Sequence, residues 1–291
     1  MAQRFKSDAW ERGRLGRPAL SSTGSGRKAA PLGFDVEDDF IFARSWQNLP
    51  GVAHGFSTRH SQRERFFRRA AGGGKFIGPV FVRQVHSDMV WPLQEAPKTA
   101  PVGDALITAT SGLALSVKTA DCFPILLFDP GIPAIGVIHA GWRGTTKRIA
   151  EKAVGLMRAR YRADPGRMYA AIGPGIRSCC YEVGEEVIVA FRSQFAYADE
   201  LFRNPRGQNP ADIRLPRQVL TAGGPPLRDL APERACLDLE EANRRQLLAA
   251  GLKAENIAAG APCTACRNDL LYSYRREGAA AGRLHALVLL R

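Results

Sequence analysis

Apolar and polar positions divide the chain into three regimes. Residues 1–34 show no apolar period. The run Ser21-Ser22-Thr23-Gly24-Ser25-Gly26-Arg27-Lys28 carries too little apolar surface to order itself, so a disordered tail is expected, with folded structure from about Phe40-Ile41-Phe42. From Phe81 to Gly144, short continuous apolar runs dominate. Val80–Val82, Leu113–Val117, Ile125–Phe128 and Ile135–Ile138 read as strands, with Asp129-Pro130-Gly131 as a turn. Runs that are continuous rather than alternating imply strands covered on both faces. Beyond Gly144 the period lengthens. Ile149, Ala153 and Met157 predict a helix to about Tyr161, and Val183, Val187, Phe191 and Phe195 a second over about 182–195. A third starts near Leu239 and stops at Gly251. Residues 203–235, rich in Pro, Gly and Arg, read as a surface excursion. The alternation of strands and helices predicts one α/β domain over 35–291 with a mixed sheet.

Composition narrows the class. Apolar content of 45% and charged content of 24% in 291 residues suit a globular protein with a full core. No apolar run approaches the roughly 20 residues that span a bilayer, and no apolar signal core opens the chain, so a cytoplasmic protein is expected. The net charge is +13, of which the tail supplies +5 through seven Lys/Arg against Asp8 and Glu11. The rest is scattered, without a basic stripe interleaved with aromatics. No nucleic-acid partner is expected; anionic small molecules would suit the charge. Six cysteines without a secretory signal imply free thiols. Cys179-Cys180 cannot easily bridge each other. Cys263-Thr264-Ala265-Cys266 is a CxxC with no second CxxC, and reads as structural.

Three residues stand out chemically: His86 in Gln84-Val85-His86-Ser87, Cys122 in Thr119-Ala120-Asp121-Cys122-Phe123-Pro124, and His139 in His139-Ala140-Gly141-Trp142-Arg143-Gly144-Thr145. Each lies at or beside a strand end. Two imidazoles and a thiolate form a three-ligand metal set with an open position, the catalytic pattern for zinc. The same trio could be a cysteine nucleophile with a histidine base. Asp121 could orient a ligand or move protons. Gln84 could hydrogen-bond behind His86. Arg143, entering a helix, and Arg59, after Gly55-Phe56-Ser57-Thr58, are candidate phosphate clamps. His54, His60 and His285 lack comparable contexts. The five histidines are too few for a multicopper centre.

The chain resembles the YfiH, or laccase-domain (polyphenol oxidase-like), family. The resemblance runs through Gly55–Arg59, Gln84–Ser87, Gly103-Asp104-Ala105-Leu106, Thr119–Pro124, His139–Gly144, Ile172-Gly173-Pro174 and Tyr181–Gly184. It continues through Asp238-Leu239, Cys263-Thr264, Tyr272-Ser273-Tyr274-Arg275-Arg276 and Gly282-Arg283. It implies a single three-layer α/β (α+β) domain with a central mixed sheet. It implies zinc held by His86, Cys122 and His139, with copper as the alternative metal. It implies phosphorolysis of adenosine, inosine and 5′-methylthioadenosine to free base and ribose 1-phosphate, with deamination of adenosine. Some members are linked to peptidoglycan editing, so a cysteine amidase with Cys122 as nucleophile stays open. Residues 60–79 are shorter and more basic than the family pattern.

Overall fold

The apolar runs form strands, and the helical periods form helices that cover them. The computed structural model describes residues 33–37, 39–70, 75–203 and 234–291. The elements are β1 (Phe34–Glu37), β2 (Phe40–Ala43), β3 (Val52–Ser57), α1 (Arg63–Ala70), β4 (Ile77–Phe81), β5 (Val90–Leu93), β6 (Ala105–Thr108) and β7 (Leu113–Thr119). Then come β8 (Phe123–Asp129), β9 (Ala134–Ala140), α2 (Trp142–Thr146), α3 (Ile149–Tyr161), β10 (Tyr169–Ile172), β11 (Glu182–Gly184) and α4 (Glu185–Gln194). The chain closes with β12 (Phe202–Arg203), β13 (Arg234–Leu237), α5 (Leu239–Ala249), β14 (Ile257–Ala258), α6 (Tyr274–Glu277) and β15 (Leu284–Leu290).

The mixed sheet expected from the sequence is the six-stranded one ordered β14-β10-β8-β9-β6-β5, parallel at both edges and antiparallel between. A second six-stranded sheet, β1-β2-β3-β15-β7-β4, packs on it face to face. Leu106, Leu126, Phe128, Ile135 and Val137 from the first meet Phe56, Leu115, Val117, Ala286 and Val288 from the second in one core. The opposite face of the first sheet carries Ile107, Ile125, Leu127 and Ile138, and buries them under α3, α4 and α5. This explains why β8 and β9 are buried at every position: one side chain in two faces the sheet partner and the next faces the helices. Runs buried on both faces do not disclose which layer covers each face, so the sequence showed one sheet where the core holds two six-stranded ones, beside a small three-stranded sheet ordered β11-β13-β12. The strand total also exceeds what one twisted sheet usually carries.

Other departures have local causes. The first expected helix is split into α2 and α3, because Arg148 takes a left-handed φ of 63° between them. The second begins only at Glu185, since Val183 is drawn into β11 by pairing with Ala235. α5 is capped by the Asp238 carboxylate, which accepts from the Glu241 amide at 3.1 Å. Among the described residues the first strand already begins at Phe34, which is buried, ahead of the expected start near residue 40. The rest of the expected tail lies outside the described residues. So do 204–233 of the expected excursion, whose ends β12 and β13 pair antiparallel. In the atypical 60–79 stretch, α1 lays Phe66 and Phe67 over Ala53, Ala114, Leu287 and Leu289. Among the described residues, no helix is long and apolar enough to cross a membrane.

The three histidines set aside in the sequence are structural. His60 bonds the Asp269 carbonyl at 2.9 Å, and His285 packs edge-on against Phe67 and Phe81. His54 sits on β3 under Trp46 and accepts from the Ala43 amide at 2.9 Å through Nε2. Burial lowers its pKa from 6.5 to about 4. Between those two values the unfolded chain binds a proton that the folded chain refuses, so stability must fall as pH drops from 6.5 toward 4, by up to about 3 kcal/mol. Urea unfolding across that range should show this slope in the wild type, and a shallower one in His54→Gln.

Candidate active site

Each member of the trio is delivered by a different piece of the sheets. His139 is on β9, beside Pro124 of β8. Cys122 lies in the tight β7–β8 connection. His86 lies in the β4–β5 loop. Their ligand atoms all fall within 4.8 Å of one another. His86 Nε2 is 3.9 Å from Cys122 Sγ, and the two imidazole rings meet edge to face with centroids 4.9 Å apart. The backbone is bent to achieve this: His86 has φ 57° and Asp121 φ 90°, both in the left-handed region that side chains rarely adopt.

Asp104, which the sequence did not single out as a site residue, organises the cluster. It has no solvent exposure, and it immediately precedes β6, the neighbour of β9. Its Oδ1 lies 2.8 Å from His139 Nδ1 and accepts the His86 amide at 3.1 Å. Its Oδ2 accepts the amide and hydroxyl of Ser87 at 2.6 and 2.7 Å. One carboxylate thus fixes the His86 loop and engages His139 through Nδ1, leaving Nε2 as that ring's free ligand atom. Burial alone would raise the Asp104 pKa. The hydrogen bonds from His139 and Ser87 outweigh it and hold the carboxyl down at about 2. Likewise burial would raise the Cys122 thiol, but the charge and hydrogen bonding of His139, joined by His86, bring it to about 6. His139, which burial would lower, is raised to about 9 by Cys122 and Asp104. Both shifts act in the direction of a thiolate on Cys122 and a proton on His139 in the absence of metal.

Gly141 makes room for the cluster. A Cβ there would stand 2.9 Å from Cys122 Sγ and 3.2 Å from His86 Cδ2. Gly141→Ala should push the thiol and the ring apart and weaken metal retention by about tenfold, the lower end for changes to supporting groups. Chelator competition would measure it, with unfolding temperature little changed.

The trio lines a cleft of about 770 Å³. Arg83, Lys118, Arg143, Arg275 and Arg283 also line it, and Asp121 is the one acidic residue among the described residues that do. Trp142, Tyr181 and Tyr274 supply aromatic surface. Arg143 stacks on Trp142 at 4.3 Å and approaches Glu186 at 3.8 Å. Arg275 reaches the Glu182 carbonyl at 2.8 Å and lies over Tyr181. Burial pushes the Tyr181 phenol up. Arg143 is legible in the sequence as a phosphate clamp, whereas Arg83, Lys118, Tyr181, Tyr274, Arg275 and Arg283 lie in or near the motifs that carried the resemblance without anything in the sequence to separate them from ordinary surface residues.

Arg59 and Asp121 are both held by groups of the C-terminal segment. Arg59 does not line the cleft. Its guanidinium donates to the Asn268 carbonyl, pairs with Glu277 at 3.4 Å and stacks on Tyr272, so it ties β3 to the C-terminal segment. Asp121 lines the cleft, but both its carboxylate oxygens are engaged: Oδ1 accepts from Thr264 Oγ1 at 2.6 Å and Oδ2 from the Arg275 amide at 2.7 Å. Those bonds tie Asp121 and the loop that carries Cys122 to the C-terminal segment. Gln84 lines the cleft too, while its amide exchanges bonds of 2.7 and 2.9 Å with the Lys118 backbone. Arg143 lines the cleft.

With that geometry in place, comparison with known proteins settles the family. Residues 59–291 match the family described as multi-copper polyphenol oxidoreductase laccase. The chain belongs to that family. Purine nucleoside phosphorylase YlmD of Geobacillus stearothermophilus is 35% identical over 195 residues, which are 67% of this chain and 62% of that protein. The match thus spans somewhat under two thirds of that relative. Adenosine deaminase RL5, from an unknown prokaryotic organism, is 36% identical over 214 residues, 70% of this chain and 72% of that protein. The crystal structure of hypothetical protein YfiH from Bacillus licheniformis superposes with a TM-score of 0.71 over 89% of this chain and 99% of its own, at 24% identity, a likeness of fold.

The donor set fits a borderline-soft divalent ion, because two imidazoles and a thiolate suit zinc or copper and not magnesium or calcium. The copper in the family's description would need many more histidines for a multicopper centre, and His54, His60 and His285 are engaged elsewhere.

Proposed function

We propose that this protein is a zinc-dependent purine nucleoside phosphorylase that also deaminates adenosine, working in the cytoplasm where free thiols persist. What carries the reading is one observation: His86, Cys122 and His139 converge on a cleft lined by cationic and aromatic side chains. The names of the YlmD and RL5 relatives agree with it. A zinc ion held by these three residues would supply Lewis-acid polarisation with an open coordination position.

The chain's own residues account for the rest. In phosphorolysis a phosphate oxygen bonds to the ribose C1′ on the face opposite the base. The C1′–N9 bond breaks, and its electron pair leaves with the purine, which takes up a proton. Arg83, Lys118, Arg143, Arg275 and Arg283 form the cationic wall that would hold the phosphate. Trp142, Tyr181 and Tyr274 offer ring faces for a purine. Adenosine, inosine and 5′-methylthioadenosine share the base and C1′ that these groups would address. In deamination, water adds at C6 of adenine and ammonia leaves. Asp121 then acts by holding the Cys122 loop, and Asp104 by orienting His139.

A second reading is favoured by one specific observation. Cys122, His139 and Asp104 are also arranged as nucleophile, base and orienting carboxylate, with the thiol pKa lowered to about 6. That is the arrangement of a cysteine amidase, such as one acting on peptidoglycan precursors. The two readings separate by chromatography of adenosine and inosine incubated with metal-replete and metal-stripped enzyme, with and without phosphate. Phosphate-dependent release of adenine and hypoxanthine, lost on stripping and restored by zinc, supports the phosphorylase. No purine product in any lane would refute it and leave the amidase.

A further inference from the structure

Away from the cleft, the fold assembles four cysteines that the sequence kept apart. Cys179 and Cys180 lie between β10 and β11, and Cys263 and Cys266 lie after β14. A parallel bridge between Gly175 and Cys263 brings the two segments together, and the Thr264 amide donates to the Gly175 carbonyl at 3.1 Å. All four Sγ atoms fall within 4.8 Å of one another, and Cys266 Sγ is 3.4 Å from both Cys179 and Cys180 Sγ. The CxxC therefore does have a partner pair, in the adjacent cysteines rather than a second CxxC.

We infer that Cys179, Cys180, Cys263 and Cys266 form a tetrahedral four-thiolate site for a structural zinc ion, distinct from the His86–Cys122–His139 site. A zinc–sulfur bond of about 2.3 Å in a tetrahedron separates its sulfurs by about 3.8 Å, close to the 3.4 Å separations from Cys266 and inside the 4.8 Å that encloses all four. The closed set leaves no open position, as in structural zinc sites. An iron–sulfur cluster would spread its cysteines over several irons and hold the sulfurs farther apart. The Arg177 amide donates to Cys263 Sγ at 3.4 Å, and the backbone around Ala265 and Cys266 also hydrogen-bonds that sulfur, the support expected for a metal-bound thiolate.

The site has a clear structural task. Thr264, between the two CxxC sulfurs, donates to Asp121 Oδ1, and the Ile176 amide donates to the Asp121 carbonyl at 2.8 Å. Tyr181, of the cleft wall, directly follows Cys180. A metal clamping the two segments would fix the loop that carries Cys122 without touching substrate.

Metal content per chain tests this independently of activity. The full chain would be purified as wild type, as His86→Ala/Cys122→Ala, and as Cys263→Ser/Cys266→Ser, and assayed by mass spectrometry for zinc and iron. The His86→Ala/Cys122→Ala protein should keep one zinc per chain. Loaded with cobalt, it should show the thiolate charge-transfer and strong visible bands of a tetrahedral four-sulfur site. The Cys263→Ser/Cys266→Ser protein should lose one zinc relative to wild type and unfold at lower temperature. If it aggregates, the His86→Ala/Cys122→Ala protein decides alone. No metal and no four-sulfur cobalt spectrum there, iron in place of zinc, or a Cys179–Cys266 or Cys180–Cys266 disulfide in peptide maps would each overturn the proposal. Failure of the catalytic-metal reading would appear differently, as a wild type holding a single zinc that His86→Ala/Cys122→Ala does not lose.

Discussion

Cys122→Ala should lower phosphate-dependent cleavage of inosine by at least about 10³-fold, as when one member of a tightly coupled catalytic group is removed. The thiol is the only sulfur in the His86–Cys122–His139 cluster, and its Sγ lies 3.9 Å from His86 Nε2. Its loss should remove metal and activity together. The fold should persist, because Cys122 belongs to the loop between β7 and β8 and to neither strand, and the flanking core residues Val117, Phe123 and Ile125 are untouched. Far-ultraviolet circular dichroism of the variant should match the wild type while the metal held by the trio disappears. A variant that keeps this metal and most of its phosphorolysis would remove Cys122 from the site. Cys122→Ser offers a finer contrast. A hydroxyl is a poorer ligand for zinc than a thiolate, so partial metal binding with partial activity is expected if the sulfur acts as a ligand.

Asp104→Asn should weaken zinc binding and turnover by about 10- to 100-fold, the range for groups that orient a metal-ligating histidine. The substitution keeps the shape but reverses part of the hydrogen bonding. The wild-type carboxylate accepts from the Ser87 amide and hydroxyl and the His86 amide, and faces His139 Nδ1. An amide nitrogen in place of either oxygen confronts one of those groups with a second donor. Because the residue is fully buried, water cannot relieve the conflict. The pH dependence should shift as well. His139 is raised to about 9 partly by the Asp104 carboxylate, so its pKa in the metal-free variant should fall. Chelator competition and imidazole titration by NMR would measure the two effects. An unchanged zinc affinity would show that Asp104 supports the fold alone.

How far the sequence discloses this site depends on what each residue does. His86, Cys122 and His139 are legible because each is a chemically rare type in an unusual local context at a strand end. Asp104 is not, because its role exists only through the neighbouring strands β6 and β9, which carry it to His139. Arg59 misleads for a related reason. An arginine closing a strand reads the same whether it faces a cleft or, as here, Glu277 and Tyr272. Cys179-Cys180 and the CxxC look like unrelated pairs until the bridge at Gly175 and Cys263 joins their segments. Strands β4, β7, β8 and β9 are legible from their apolar runs. Their division into two sheets was not, because burial on both faces is the same signal under a helix or under another sheet.

Phosphorus-31 NMR of inosine incubated with the zinc-replete enzyme and inorganic phosphate tests the central reading most directly. Conversion of the phosphate resonance to ribose 1-phosphate, in step with hypoxanthine release and absent with Cys122→Ala, is the expected result. Hypoxanthine without ribose 1-phosphate would mean hydrolysis. An unchanged spectrum with intact inosine would contradict the phosphorylase assignment outright.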